Sequence, residues 1–371
     1  MMTRVRTGLE RLVAAPRPVR EGRAGLVTNP TGVLPDLTPA APALLAAGMR
    51  LTTLFSPEHG LRGTAQAGAG EADSTDPVTG LPVLDTYRRS ADELDRLISA
   101  SGVDTLVFDV ADVGARFYTY IWTMYDLMAA AARLGLRFFV LDRPNPIGGV
   151  LVEGPLVEPA CASFLGRAPI PVRHALTAGE LALAFNREIG AKLDVVALEG
   201  WRREMHFDET GLPWVMPSAN MPTLDTALVY PGTGLLEGTN VSEGRGTTRP
   251  FELVGAPYVD GRLASELNGT GLPGVVFRDT WFTPTFGKHA GVPVRGVQAH
   301  VTDRTAFRPV LTGVSMLHVL RTLHPGEFAC LPFLDLLWGS DSLRGRLEAG
   351  DDPRSLCAPV PWPPEDGLLY V

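Results

Sequence analysis

Up to about residue 200, short β-branched apolar runs alternate with longer stretches of helical period, each pair separated by a polar turn. The runs Gly25–Thr28, Leu51–Phe55, Val103–Val110, Arg137–Leu141 and Leu193–Leu198 read as strands, and Ala40–Ala47, Ala91–Ala100, Tyr118–Leu134 and Ala178–Ile189 as helices. Thr177 with Glu180 has the spacing of a capping box, which sets the start of the last of these helices. Strands alternating with helices predict an α/β fold with a mainly parallel sheet covered on both faces. From about Asn220 the pattern loosens. Pro217–Tyr230 leads through Pro231-Gly232-Thr233-Gly234 into a polar loop, followed by short strand-like runs (Gly274–Phe277, Val292–Val301), a helix at Gly313–Leu323 and a tail including Phe328–Trp338. The expected division is a parallel-sheet domain over residues 1–225 and a smaller α+β domain over 226–371 that contributes a lid loop to the cleft.

That loop, Leu235–Glu252, has neither the period of a helix nor the alternation of a strand. It sets Glu237, Asn240, Ser242, Glu243, Arg245 and Arg249 around Gly238, Gly244 and Gly246, an array suited to a polyhydroxylated or anionic ligand. A bland reading is a salt-bridged surface loop. Across from it, four strand ends carry polar residues and turn formers: Asn29-Pro30-Thr31-Gly32, Ser56-Pro57-Glu58-His59-Gly60, Asp109 to Arg116, and Asp142-Arg143-Pro144-Asn145-Pro146. Open α/β sheets bind ligands outside the carboxyl ends of their strands, so these ends describe one rim of a crevice.

Several residues on that rim have the right chemistry. Glu58-His59 is a general acid or base pair, or alternatively a capping carboxylate with a hydrogen-bonding His. Asp109 and Asp112 orient a ligand hydroxyl or a catalytic partner, or cap the next helix. Arg116, Tyr118 and Tyr120 suit an anion and a sugar face, although aromatic positions near a helix start also serve as core. Asn145, between two prolines, bonds either a ligand or the turn itself, and Arg173 and His174 either line the rim or lie on the surface. Glycoside hydrolysis needs two carboxyl groups about the scissile bond, which Glu58 together with Glu243 or Glu237 can supply.

Composition narrows the class. A chain of 371 residues with 45% hydrophobic and 20% charged side chains is ordinary globular protein, and a formal net charge of −8 argues against nucleic-acid or anionic-membrane partners. Three distant cysteines give no disulfide framework, and seven histidines without HxxxH or HxH spacing give no metal site. Neither GxxxxGK[ST] nor GxGxxG follows the first strand, so no nucleotide cofactor is expected, and no GxSxG elbow is present. No run approaches 18 apolar residues, and the start lacks an apolar leader core, so the expectation is a cytoplasmic protein without membrane insertion.

The segments GLVTNPTGV, LFSPEHGLRG, FDVADVGARFYTY, VLDRPNPIGG, PVRHALTAGELA, PSANMPTLDTALVYPGTGLLEGTNVSEGRGTTRPFELVGAPYVD and GVQAHVTDR resemble those of the NamZ-type exo-β-N-acetylmuramidases, the DUF1343 or YbbC family. The resemblance implies a Rossmann-like N-terminal domain, a smaller second domain with the site between them, and hydrolysis of a non-reducing terminal β-1,4-linked N-acetylmuramic acid from peptidoglycan fragments. It places the family's glutamate on Glu58, and His59, Asn240, Ser242, Glu243 and Arg245 match as well. Asn29, Tyr118, Asn145, His174 and Asn220 complete the expected sugar-binding set, and Arg245, Arg143 and Arg116 are candidates for the lactyl carboxylate of the sugar. Two departures stand out: Arg173-His174-Ala175-Leu176-Thr177 where many members read RHGMT, and Ser218-Ala219-Asn220-Met221-Pro222 where they read SPNMP. The alternative from another class is a non-catalytic muropeptide- or sugar-binding protein using the same cleft. A metal-dependent amidase or esterase built on Glu58-His59 is a third reading.

Overall fold

The computed structural model describes residues 4–16, 22–362 and 367–370. Residues 1–3 and 17–21, part of the stretch read for a leader, lie outside the described residues. The first half supplies strands β1 (Ala24–Thr28), β2 (Leu51–Ser56), β3 (Ser74–Thr75), β4 (Pro82–Asp85), β5 (Thr105–Asp109), β6 (Arg137–Leu141), β7 (Glu153–Leu156), β8 (Pro171–Arg173) and β9 (Lys192–Val196). Its helices are α1 (Gly8–Ala14), α2 (Ala40–Ala46), α3 (Ala91–Ser101), α4 (Tyr120–Leu134) and α5 (Ala178–Ile189).

Seven strands form one sheet in the order β3-β4-β2-β1-β5-β6-β9, parallel except for the β3–β4 edge. Alternate residues of the central strands face opposite sides, and both sides are covered. Val27, Phe55 and Phe108 enter one apolar core, while Leu26, Leu54 and Val107 enter another with α1 and α2. The chain leaves β1 toward β2 on one side and later returns to β5 on the other, which makes the β1/β5 boundary the switch point. Thr28 lies in register with Asp109 there. The Thr177 capping box opens α5 as the sequence predicts.

The second half contains α6 (Leu224–Thr233), β10 (Leu253–Ala256), α7 (Leu263–Gly269), β11 (Val275–Phe282), β12 (Val294–Val301), α8 (Pro309–Leu323), α9 (Phe333–Trp338), α10 (Ser342–Ala349) and α11 (Pro353–Leu356). The strands make an antiparallel sheet in the order β10-β12-β11. One unbroken apolar core runs from α4 through Tyr230 and Phe251 to Val297 and Leu317, so both walls of the cleft rest on shared packing.

Pro231-Gly232-Thr233-Gly234, read from sequence as leading into the polar loop, is itself helical. Residues through Thr233 are helical, and Gly234–Gly238 continue as a 3₁₀ turn that includes the start of the polar loop. Tertiary packing explains the difference. Gly232 and Gly313 meet backbone to backbone where α6 crosses α8, and a Cβ on Gly313 would stand 2.2 Å from the Gly232 carbonyl oxygen. Among the described residues no helix is long and apolar enough to cross a membrane.

Candidate active site

The loop after β2 carries Glu58 into a cleft of about 240 Å³ between the sheet rim and the polar loop. His59, Tyr87, Arg88, Thr119, Tyr120, Asn220, Tyr230, Glu237, Arg245 and Phe251 share its lining. Two donors hold Glu58. Gly68 N–H donates to Oε1 at 2.6 Å, and the Thr119 hydroxyl donates to Oε2. Tyr87 shares the cleft lining; burial, and then the Glu58 charge, push its phenol above its ordinary range. Gly68 has φ +83°, and Thr119 occupies the N-cap of α4 without capping it. A Thr at that position normally bonds the helix's own free N–H groups. Here its hydroxyl serves Glu58 instead, and the helix starts at Tyr120, two residues after the predicted Tyr118.

His59 holds a left-handed conformation (φ +71°), an uncommon state for a non-glycine residue that clusters at functional sites. Its Nδ1 pairs with the Ala65 carbonyl at 2.8 Å, which makes Nδ1 the donor and Nε2 the acceptor in the neutral ring. Asn220 reaches the cleft from the other side, and among the described residues its buried amide nitrogen has no hydrogen-bond partner.

Three ionisable groups of the polar loop form a connected cluster. Arg245 Nη2 reaches Glu237 at 3.1 Å and its Nε approaches Glu243 at 3.4 Å, while its guanidinium lies 4.9 Å from the centre of the Phe251 ring. Glu237 keeps 22% of its side-chain surface open toward the cleft, yet it is packed in protein on its other sides. Burial raises its pKa; Arg245 opposes this and the nearby Glu243 charge reinforces it. Glu243 sits behind the cleft, 5% exposed, and pairs with Lys288 at 2.9 Å. The same ammonium also donates to the carbonyls of Leu236 (2.8 Å), Val241 (3.0 Å) and Glu237 (3.2 Å). His289 Nε2 bonds the Asn240 carbonyl at 2.8 Å, and Thr285 binds the Gly246 carbonyl through both its N–H and its hydroxyl. The connection between β11 and β12 therefore clamps the polar loop from outside.

Of the residues expected from sequence, Glu58, His59, Tyr118, Asn220, Glu237 and Arg245 line this cleft together. The others are placed elsewhere. Asp109 is fully buried in a bidentate pair with Arg143 (2.6 and 2.9 Å), and this pair braces the switch point. Arg116 is also fully buried, with its guanidinium donating to the carbonyls of Pro155 (2.7 Å), Ile170 (2.9 Å) and Leu337 (2.9 Å). Asn29 closes its own turn by accepting from Thr31, and Asn145 spans Leu176 O and Ile147 N. His174 lies against Asp112 at 3.1 Å and accepts from the Leu176 N–H, so both ring nitrogens are engaged. Asn240 ties the loop to the C-terminal segment through Glu327 O, Ala329 N and Tyr258 OH, while Ser242 accepts from the Gly244 N–H.

Sequence reasoning missed Tyr87, Arg88, Thr119 and Lys288. Thr119 carried a readable signal, since a hydroxyl residue precedes an apolar helix without the Glu or Gln of a capping box three residues later. Lys288 carried another: only two of the 33 Lys and Arg side chains are lysines.

Two family models cover the chain. Residues 24–225 match the N-terminal model of exo-β-N-acetylmuramidase NamZ, and residues 228–360 match the C-terminal one. The chain is similar to the peptidoglycan β-N-acetylmuramidase NamZ of Bacillus subtilis strain 168. The two are 48% identical over 354 residues, which is 94% of this chain and 85% of the relative. Two crystal structures of DUF1343 family proteins from Bacteroides fragilis share the fold. One has a TM-score of 0.88 at 34% identity over 95% of this chain and 94% of the other. The second has a TM-score of 0.76 at 29% identity over 95% and 93%.

Proposed function

This chain belongs to the exo-β-N-acetylmuramidase NamZ family, and from that premise we propose how it releases a terminal, non-reducing β-1,4-linked N-acetylmuramic acid from peptidoglycan fragments. The observation that carries the proposal is a pair of carboxyl groups, Glu58 and Glu237, reaching one small cleft from the sheet rim and from the polar loop. At about 240 Å³ the cleft falls below the roughly 300–1,000 Å³ typical of larger ligand sites, a size suited to one sugar ring at a chain end.

Cleavage of a glycosidic bond needs a proton for the leaving oxygen and negative charge near an anomeric carbon that turns cationic in the transition state. The two carboxyl groups differ in surroundings in the way such a division requires. Burial favours the neutral acid at Glu237, which suits it to protonate the leaving oxygen. Glu58 is held by the neutral donors Gly68 and Thr119, which fix its direction without adding a positive charge beside it. We assign it the essential carboxylate role. Arg245 and Glu243 position Glu237, and Asn220 offers a free amide donor to a sugar substituent.

A chromogenic N-acetylmuramic acid β-glycoside tests the assignment. Glu58→Gln is expected to lower kcat by roughly 10²–10⁴-fold while the product sugar still binds. Wild-type-like turnover by that variant would remove Glu58 from the chemistry. Loss of binding together with turnover would make it a sugar-holding group.

A further inference from the structure

The substrate differs from an N-acetylglucosamine unit by a lactyl ether whose carboxylate must be met by a cation or by several donors. The arginines expected for that task are committed elsewhere. Arg116 holds three backbone carbonyls in the core, Arg143 pairs with buried Asp109, and Arg245 is shared between Glu237 and Glu243.

One cation on the cleft wall has no such commitment. Arg88 stands in the turn between β4 and α3 and is exposed at the cleft. Among the described residues it has no carboxylate within salt-bridge distance and no hydrogen bond, and its guanidinium rests 4.9 Å from the centre of the Phe164 ring. Its neighbour Arg89 behaves differently, bonding the Asp85 carbonyl at 2.5 Å and pairing with Asp73 at 3.6 Å. Arg88 also has φ +53°, a conformation that side-chain-bearing residues seldom hold without a reason in the surrounding structure. It is close enough to Glu58 for the two to act on one group: the Arg88 charge lowers, and the Glu58 charge raises, the pKa of the Tyr87 phenol.

We propose that Arg88, resting against Phe164, receives the lactyl carboxylate of the substrate and is the residue that selects a muramic acid over a neutral hexosamine. The aromatic ring supports the guanidinium by a cation–π contact without using its N–H groups, which stay available for a two-point bond to a carboxylate. The proposal rests on the activity argued above, and the experiment keeps the two apart.

The probes are the chromogenic N-acetylmuramic acid β-glycoside and its lactamide, in which the carboxylate is a neutral amide. Wild-type protein is expected to prefer the acid by roughly 10- to 100-fold in kcat/KM, the range of one or two charge-assisted hydrogen bonds. Arg88→Gln should abolish that preference through KM, with kcat on the acid and kcat/KM on the lactamide nearly unchanged. Arg88→Lys should keep part of it. Circular dichroism and the lactamide rate report whether each variant is folded. An Arg88→Gln variant that discriminates as strongly as wild type would overturn the proposal while leaving the activity intact. Wild-type protein inactive on both glycosides would instead bring down the activity reading, and Arg88's role with it.

Discussion

Lys288→Met removes an ammonium and keeps a side chain of similar length, so it isolates the contribution of one charge to the polar loop. Four oxygens lie within 2.8–3.2 Å of Nζ: three carbonyls of the 234–241 segment and Glu243 Oε2. Breaking a fully buried ion pair costs about 3–5 kcal/mol. Two facts reduce that figure here. Lys288 is 27% exposed, so water can replace some of its bonds, and Glu243 keeps Arg245 Nε at 3.4 Å. A loss of about 2–3 kcal/mol follows. It should appear as a lower urea midpoint at unchanged slope, measured beside kcat/KM on the chromogenic glycoside. Turnover should fall as well, because Lys288 fixes the segment that carries Glu237. Arginine is not a substitute: its planar fork cannot converge on four oxygens grouped around one point, which a compact ammonium serves with its three N–H donors, so Lys288→Arg should recover less than half of the loss. The chain uses arginine almost everywhere else, and its other lysine, Lys192, is on the surface. A Lys288→Met protein with wild-type midpoint and turnover would refute the reasoning.

Other consequences can be measured with the same probes. Ala175 sits at φ +57° with no surface exposed, so Ala175→Gly should relieve about 1 kcal/mol of strain, offset in part by unfolded-state entropy, and raise the denaturation midpoint. A lower midpoint would mean that the segment tolerates this backbone without cost. Thr119→Val removes a donor to Glu58 but no helix cap, so turnover should fall about tenfold while stability changes by less than about 1 kcal/mol. Equal losses in both would place Thr119 in the fold and not in the site. Because burial raises the Glu237 pKa, its acid form persists to higher pH than for an ordinary glutamate, and kcat should fall as pH rises through that raised value. Glu237→Gln should remove this basic limb, and a limb that survives the substitution belongs to another group.

The parallel sheet was legible because each central strand buries both faces and each following helix has its own period. Glu58 was legible because its turn interrupts that pattern with Pro, Glu, His and Gly. The readings that failed share a cause, a partner far away in sequence. Arg116 follows Asp and Gly at a strand end, where a ligand-binding arginine belongs, yet one of its three carbonyl partners is Leu337, 221 residues on. Asn240 looked free in a polar loop and instead fastens residues 327–329. The departure from RHGMT to Arg173-His174-Ala175-Leu176-Thr177 was visible, but its meaning needed a torsion angle. Glycine is the residue that a left-handed position accepts without strain, and this chain keeps the conformation without it.

The distribution of charge around the cleft follows from the reaction. A cation beside Glu58 would hold its negative charge and weaken its attraction for an anomeric centre that becomes positive. The structure bonds that carboxylate to a threonine hydroxyl and a backbone N–H, both neutral donors. The cations Arg245 and Lys288 are matched instead to Glu237 and Glu243. Arg245 and Lys288 let Glu243 remain paired behind the cleft, while Glu237, more open to it, is the member left to exchange a proton with the substrate. Arg88 is then the cation in the cleft lining without a carboxylate partner among the described residues, at the place where an anionic sugar substituent would supply one. A neutral hexosamine in the same cleft would leave Arg88 to the solvent, without the charge-assisted bonds that the muramic acid gains there.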